Sequence, residues 1–365
     1  MSTTRGNSRK NKNDEFYTQL SDIEYECRHY KNQFKDKIIF CNCDDPYESN
    51  FFKYFALNFN YLGLKKLIAT CYDGSPIAYT QLNLFGDNKI IPNKNRHPYK
   101  IEINEVQDYN KDGATDLSDV EYLLKNKKNT LTLLKEDGDF RSLECIELLK
   151  KSDIVVTNPP FSLFREFVAQ LVDYNKKFLI IGNINAITYK EIFKLIKDGK
   201  IWGGYIFNKT LEFEIPSSYE GEIKNGKKYG KVPSITWFTN LQTTKRYNEL
   251  TLYKKYSSKE YPNYHKYDAI NVKKVSEIPY DYYGKMGVPI TFLDNYNPNQ
   301  FEIIGLGAGD LGREIGIGAD YTEEELKDFK SKNPAFRRGI PFYFDDLGNL
   351  NVPYARLIIK RRKNI

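Results

Sequence analysis

The stretch Asp153-Ile154-Val155-Val156-Thr157-Asn158-Pro159-Pro160-Phe161 decides how this chain is read. Ile154 to Thr157 form a short apolar run that ends in polar residues, the pattern of a buried strand. The Asn-Pro-Pro-Phe turn follows directly. An amine conjugated to a ring, such as the exocyclic group of adenine, is a poor nucleophile because its lone pair is delocalised. Two acceptors aimed at its N–H bonds would localise that pair. The Asn158 side-chain oxygen supplies one acceptor, and the Pro159 carbonyl supplies the other. Pro159 and Pro160 fix φ and keep both acceptors in place, and Phe161 offers a flat face for a ring to stack on. No strong base is needed if the proton leaves after the new bond forms. The ordinary alternative is a strand-to-loop turn, for which Asn and Pro are common residues.

Strands and helices alternate outward from this point. Helices are expected from Asp14 toward Phe34, over Asn50–Asn58, Ser142–Lys151, Leu163–Tyr174 and Tyr189–Lys197. Strands are expected at 37–41, 65–71, 153–157, 178–181 and 234–239. That alternation predicts an α/β fold, a mainly parallel sheet with helices on both faces. Ligands of such sheets lie beyond the carboxyl ends of the strands, where Asn158 falls. Residues 75–130, rich in Pro, Gly and Asn, read as an insertion with one helix near Leu117–Lys125. The domains are then a disordered basic tail over 1–13, a catalytic domain over 14–245, and a second domain over 246–365.

Further segments fall at strand ends or helix starts. Gly138-Asp139-Phe140-Arg141 lies about twenty residues before Asn158. Asp139 there could accept from an adenine amino group while Phe140 packs on the ring, or Asp139 could simply cap a helix. Cys41-Asn42-Cys43-Asp44 follows the first strand, with small polar residues that permit close approach, although the glycine-rich loop of many such sites is missing. Cys71-Tyr72-Asp73 follows the second strand and offers a carboxylate for ribose hydroxyls. Trp237-Phe238 could line a pocket for an extruded base or fill the core, and the sequence does not separate the two. Gly307-Ala308-Gly309-Asp310-Leu311-Gly312 matches a dinucleotide-binding pattern. No helix, strand and acidic residue follow it at the required spacing, so it reads as a loop or hinge.

Charge and composition narrow the partners. Of the net charge of +7 over 365 residues, four basic groups and no acid lie in residues 1–13. The middle is balanced, and residues 246–365 are again basic, which suits a polyanion. Candidate phosphate contacts are Arg337, Arg338, Lys360, Arg361 and Arg362. The five cysteines are irregularly spaced and read as reduced thiols in a cytosolic chain, with no complete metal site. The first residues have no apolar core behind them and no run is long enough for a membrane span.

Asp14–Thr18, Asn42–Tyr54, Gly138–Ser142 and Val156–Val168 resemble the adenine-specific DNA methyltransferases of the EcoRI modification type. The resemblance implies a Rossmann-like, S-adenosylmethionine-dependent core followed by a target-recognition region, in the gamma order of amino-methyltransferases. By it, Phe16, Tyr17 and Thr18 match the N-terminal cofactor motif. Asp44, with Cys41, matches the motif after the first strand, and Asp139 and Phe140 the adenine-binding motif. Asn158 to Phe161 match the catalytic tetrapeptide, with Asn158 also bordering the cofactor, and Trp237-Phe238 the late motif near the target base. Tyr72 and Asp73 fall where the ribose would sit. The implied partner is duplex DNA, with a cognate endonuclease acting separately. Monomer is slightly preferred to dimer. RNA adenine, protein glutamine, or a silent nucleic-acid-binding role are the rival readings.

Overall fold

A computed structural model describes residues 17–43, 49–71, 98–113, 115–126, 131–214, 221–224 and 226–363. The basic tail therefore lies outside the described residues, as do Phe16, Asp44, Tyr72 and Asp73. The chain forms two compact units. The first comprises residues 1–184 and 203–241, the second 185–202 and 242–365.

The first unit is built on one sheet. Its strands include Tyr17–Thr18 (β1), Ile38–Cys41 (β2), Lys66–Thr70 (β3), Tyr99–Ile103 (β4), Leu131–Leu133 (β5), Ile154–Thr157 (β6) and Lys177–Asn183 (β7). Across the sheet the order is β1, Lys209–Glu214, Lys227–Thr239, β7, β6, β2, β3, β4, β5. The central four, β7-β6-β2-β3, run parallel. Lys227–Thr239 joins one side antiparallel and β4 the other. All four residues of β6 are buried, because helices cover the sheet on both faces.

Alternate residues separate the two faces. Ile39, Cys41, Leu67, Ala69, Val156, Ile181 and Trp237 point to a cluster containing Ile23, Tyr30, Phe34, Phe51 and Phe55, from helices within 20–34 and 50–57. Phe40, Val155, Ile180 and Phe238, one residue out of step, are buried too, and the Phe238 ring meets that of Phe164, 5.1 Å away. Phe164 opens the helix Phe164–Asp173, whose apolar residues recur at helical spacing.

Three elements differ from the sequence reading. The expected insertion contributes β4, which pairs with β3, while the helix Leu117–Asn126 forms as expected. β4 was hidden because Lys100 and Glu102 alternate with its buried residues; Glu102 instead bridges Lys66 at 2.8 Å and Lys100 at 2.7 Å. The late strand begins at Lys227, not at Ser234. The strand accommodates Pro233 with a register shift between Val232 and Ile235, where Ser234 takes φ 62°. The helix at Lys190–Lys197 forms but belongs to the second unit.

In that second unit, Ile270–Asn271, Lys285–Pro289, Arg356–Arg361 and Phe301–Gly307 form a sheet in that order. The glycine cluster is a strand end and a short helix, Gly309–Glu314, rather than a loop. Its strand pairs antiparallel with Arg356–Arg361, so no parallel βαβ unit is built there. A separate aromatic cluster gathers Tyr321, Phe329, Phe336 and Phe342 beside a helix opened by a Thr322–Glu325 capping box.

Candidate active site

β2, β3 and β6 are parallel neighbours, so their carboxyl ends lie along one edge. Asn158 is the first residue beyond β6 and is only 8% exposed. Pro159 is buried beside it, and Phe161 begins a 3₁₀ turn that leads into Phe164–Asp173. The turn closes with Leu163 N–H donating to Pro160 O at 3.0 Å. Phe161 is half-buried against the cluster that contains Trp237 and Phe51. Beyond β2 the chain passes from buried Cys41 to Asn42, also buried.

The turn at Gly138-Asp139 is pressed against the end of β3. Gly138 has φ 76°, and a Cβ there would stand 2.1 Å from the Cys71 carbonyl oxygen. No residue but glycine fits so close a backbone approach. The next residue, Asp139, accepts from Arg141 three times: the backbone N–H at 2.8 Å, Nε at 2.8 Å and Nη2 at 2.7 Å. Burial pushes the Asp139 carboxyl up, but its bonds to Arg141 outweigh this and hold it below the usual carboxylate range. It is an acceptor at neutral pH, and a carboxylate has lone pairs beyond those Arg141 occupies. Phe140 is buried and packs edge-on against Phe167, with ring centroids 5.1 Å apart.

Thr18 in β1 is 3% exposed, and its hydroxyl has no hydrogen-bond partner among the described residues. Its carbonyl accepts from Asn50 Nδ2 at 2.7 Å. Sequence reasoning missed Asn50, since an Asn in the first helical turn carries no distinguishing signal. It also missed Glu26. This fully buried carboxylate accepts from Tyr30 OH at 2.8 Å, Tyr205 N–H at 2.7 Å and Ile206 N–H at 2.6 Å.

Other candidates are placed elsewhere. Trp237 and Phe238 are fully buried on opposite faces of their strand, Trp237 against Phe51 and Phe238 against Phe164. Both are core side chains here, and neither presents a ring face to solvent. Arg337, Arg338, Lys360, Arg361 and Arg362 all lie in the second unit. Lys360 is exposed, whereas Arg362 Nε donates to Pro298 O at 2.8 Å and Arg361 lies 5.1 Å from the Tyr283 ring centroid.

The five cysteines are free thiols. Among the described residues no three His, Cys, Asp or Glu side chains gather as a metal site. The acidic loop from Asp108 to Asp119 turns its carboxylates on its own backbone. Asp108 accepts from Gly113 N–H at 2.8 Å, and Asp119 from Tyr109 N–H at 2.6 Å. No helix among the described residues is long and apolar enough to cross a membrane.

The Asn-Pro-Pro-Phe turn thus stands at the carboxyl-end edge of a parallel sheet, as does buried Asn42 beyond β2. Comparison with known proteins defines the class, for the chain is a methyltransferase. It belongs to the family of the adenine-specific methyltransferase EcoRI, which it matches over residues 5–362. The Type II methyltransferase M.EcoRI of Escherichia coli is 47% identical over 321 residues, covering 85% of this chain and 91% of that protein. M.MpnI of Mycoplasma pneumoniae is 37% identical over 370 residues, 98% of each chain. M.MgeORF184P of Mycoplasma genitalium is 40% identical over 308 residues, 81% of this chain and 84% of its own. No solved structure matches the chain.

Proposed function

We propose that this chain transfers a methyl group from S-adenosylmethionine to the N6 amine of an adenine turned out of duplex DNA. It would serve as the modification partner of a separately acting endonuclease. The observation that carries this reading is the position of Asn158. It stands nine-tenths buried at the carboxyl end of a parallel strand and is followed by two prolines that leave its turn little freedom.

The residues present fit the cofactor. Thr18 keeps a buried hydroxyl with no partner among the described residues, and buried Asn42 ends β2 beside the site. Asp139, held ionised, offers an acceptor at the end of β3. Thr18 and Asn42 suit the polar amino-acid portion of the cofactor, and Asp139 its adenine amine. When bound, the cofactor supplies an electrophilic methyl group. The chain's own part is alignment and polarisation. Asn158 Oδ1 and the Pro159 carbonyl accept from the target amine, raising its nucleophilicity without taking its proton. The half-buried ring of Phe161 provides a surface for the extruded base. In the second unit, exposed Lys360 suits the backbone phosphates, which position the protein without reading sequence.

The test is Asn158→Ala. Labelled methyl incorporation into duplex DNA should fall about a hundred- to a thousandfold, in line with the loss of a preorganised polar group. Affinity for S-adenosylhomocysteine, measured by calorimetry, should stay within about threefold. Equal loss of both would make Asn158 a structural residue. Incorporation into RNA or protein, with none into DNA, would overturn the substrate assignment.

A further inference from the structure

We propose that Asn50 is a positioning residue for the cofactor, holding Thr18 against the start of the helix Asn50–Leu57. This rests on the cofactor reading above. The chain around Thr18 is a strand of only two residues, paired with Phe213 and Glu214. Such a short strand fixes register weakly. A side chain from another element, Asn50, adds to it: its Nδ2 donates to the Thr18 carbonyl at 2.7 Å.

Asn50 is well placed to do this because it is itself held. It opens the helix Asn50–Leu57, whose preceding residue, Ser49, is buried and accepts from Phe51 N–H at 3.1 Å. Phe51 and Phe52 are buried on the sheet. The helix start is therefore a fixed point, and it is the same helix to which the segment after β2 leads. One amide thus ties Thr18 to that fixed helix start. The bond orients the Thr18 peptide, and with it a hydroxyl that is buried yet has no partner among the described residues. A buried hydroxyl in that condition is costly unless a ligand satisfies it.

The decisive comparison uses the full chain and S-adenosylhomocysteine in calorimetry. Asn50→Ala removes the donor, and Asn50→Asp replaces it with a carboxylate that cannot donate to a carbonyl. Both should weaken binding about tenfold or more, which is the loss of one well-made polar contact. Asn60→Ala is the control. Asn60 Nδ2 donates to Val106 O at 2.8 Å in the same unit, so its removal deletes the same kind of bond away from the site. It should leave affinity within about twofold. Thr18→Val should itself weaken binding and add little more in the Asn50→Ala background, since both act on one contact. Full affinity in Asn50→Ala would overturn the proposal. So would an equal loss in Asn60→Ala, or additive losses in the double variant. If the unaltered chain binds no S-adenosylhomocysteine, the cofactor reading falls, and the positioning role with it.

Discussion

Replacing Gly138 by Ala tests the site's architecture most directly. A left-handed backbone costs an L-residue about 1–2 kcal/mol. The added methyl would also stand 2.1 Å from the Cys71 carbonyl oxygen and 3.1 Å from Pro98 Cβ. The first of these is a backbone atom and cannot rotate aside, so either β3 or the turn must move. Overpacking of this kind adds about 1–3 kcal/mol. The sum is roughly 2–5 kcal/mol, or a fall in melting temperature of roughly 4–20 °C for a unit of this size. Scanning calorimetry measures the melting temperature. Calorimetric titration with S-adenosylhomocysteine should show weaker binding too, because Asp139 is the next residue. Gly138→Asn separates the two contributions. Asn tolerates the left-handed region better than Ala but carries the same Cβ, so it should lose nearly as much stability. If Gly138→Ala melts within about one degree of the unaltered chain, the close approach to Cys71 is not rigid and the reasoning fails.

Two other perturbations probe the surroundings. Glu26→Ala should strand the N–H groups of Tyr205 and Ile206 and the Tyr30 hydroxyl in the interior. At about 1–3 kcal/mol for each buried group left unsatisfied, stability should fall by on the order of 3–9 kcal/mol; a urea titration giving a loss below about 1 kcal/mol would show that the cluster relaxes or admits water. Lys360 sits exposed between Lys285 and Glu302 on the neighbouring strands. Lys360→Ala should reduce the slope of log affinity for duplex DNA against log salt by about one. Arg362→Ala, whose side chain is spent on Pro298, should cost stability while leaving that slope alone, and fluorescence anisotropy across a salt series would expose the opposite pattern.

Much of the first unit could be read in the sequence because its central strands are continuous apolar runs with helical periodicity between them. Ile38–Cys41, Lys66–Thr70 and Ile154–Thr157 all lie within a residue or two of where pattern put them. Strands at the sheet's margins were less visible. β4 alternates Lys and Glu with Ile, and Lys209–Glu214 likewise mixes charge with apolar residues, so neither stands out from loop sequence. Of the site, the Asn158 turn was legible because proline, amide and strand end coincide in nine residues. Gly138 was legible only as part of a motif; its reason, the Cys71 carbonyl, is a contact across more than sixty residues of chain. Asn50 and Glu26 gave no signal at all, since the Thr18 carbonyl and the Tyr205 and Ile206 N–H groups they meet are backbone atoms that sequence does not identify. Trp237 and Phe238 were ambiguous for a different reason. A strand flanked on both faces buries every side chain, whatever its chemistry.

The path of the chain between Ile184 and Gly203 has a consequence for how the molecule is made. A nascent chain completes the helix Lys190–Lys197 early, yet Lys197 Nζ finds its acceptor, the Ile304 carbonyl, 107 residues later. Until that strand emerges, the buried side of the helix, Ile192, Phe193 and Ile196, has no floor. The second unit therefore cannot mature as an independent tail: a cut at residue 241 would leave 242–365 without the helix Lys190–Lys197, and would leave that helix on the other fragment with its apolar side uncovered. Expression of 242–365 alone should give aggregating material.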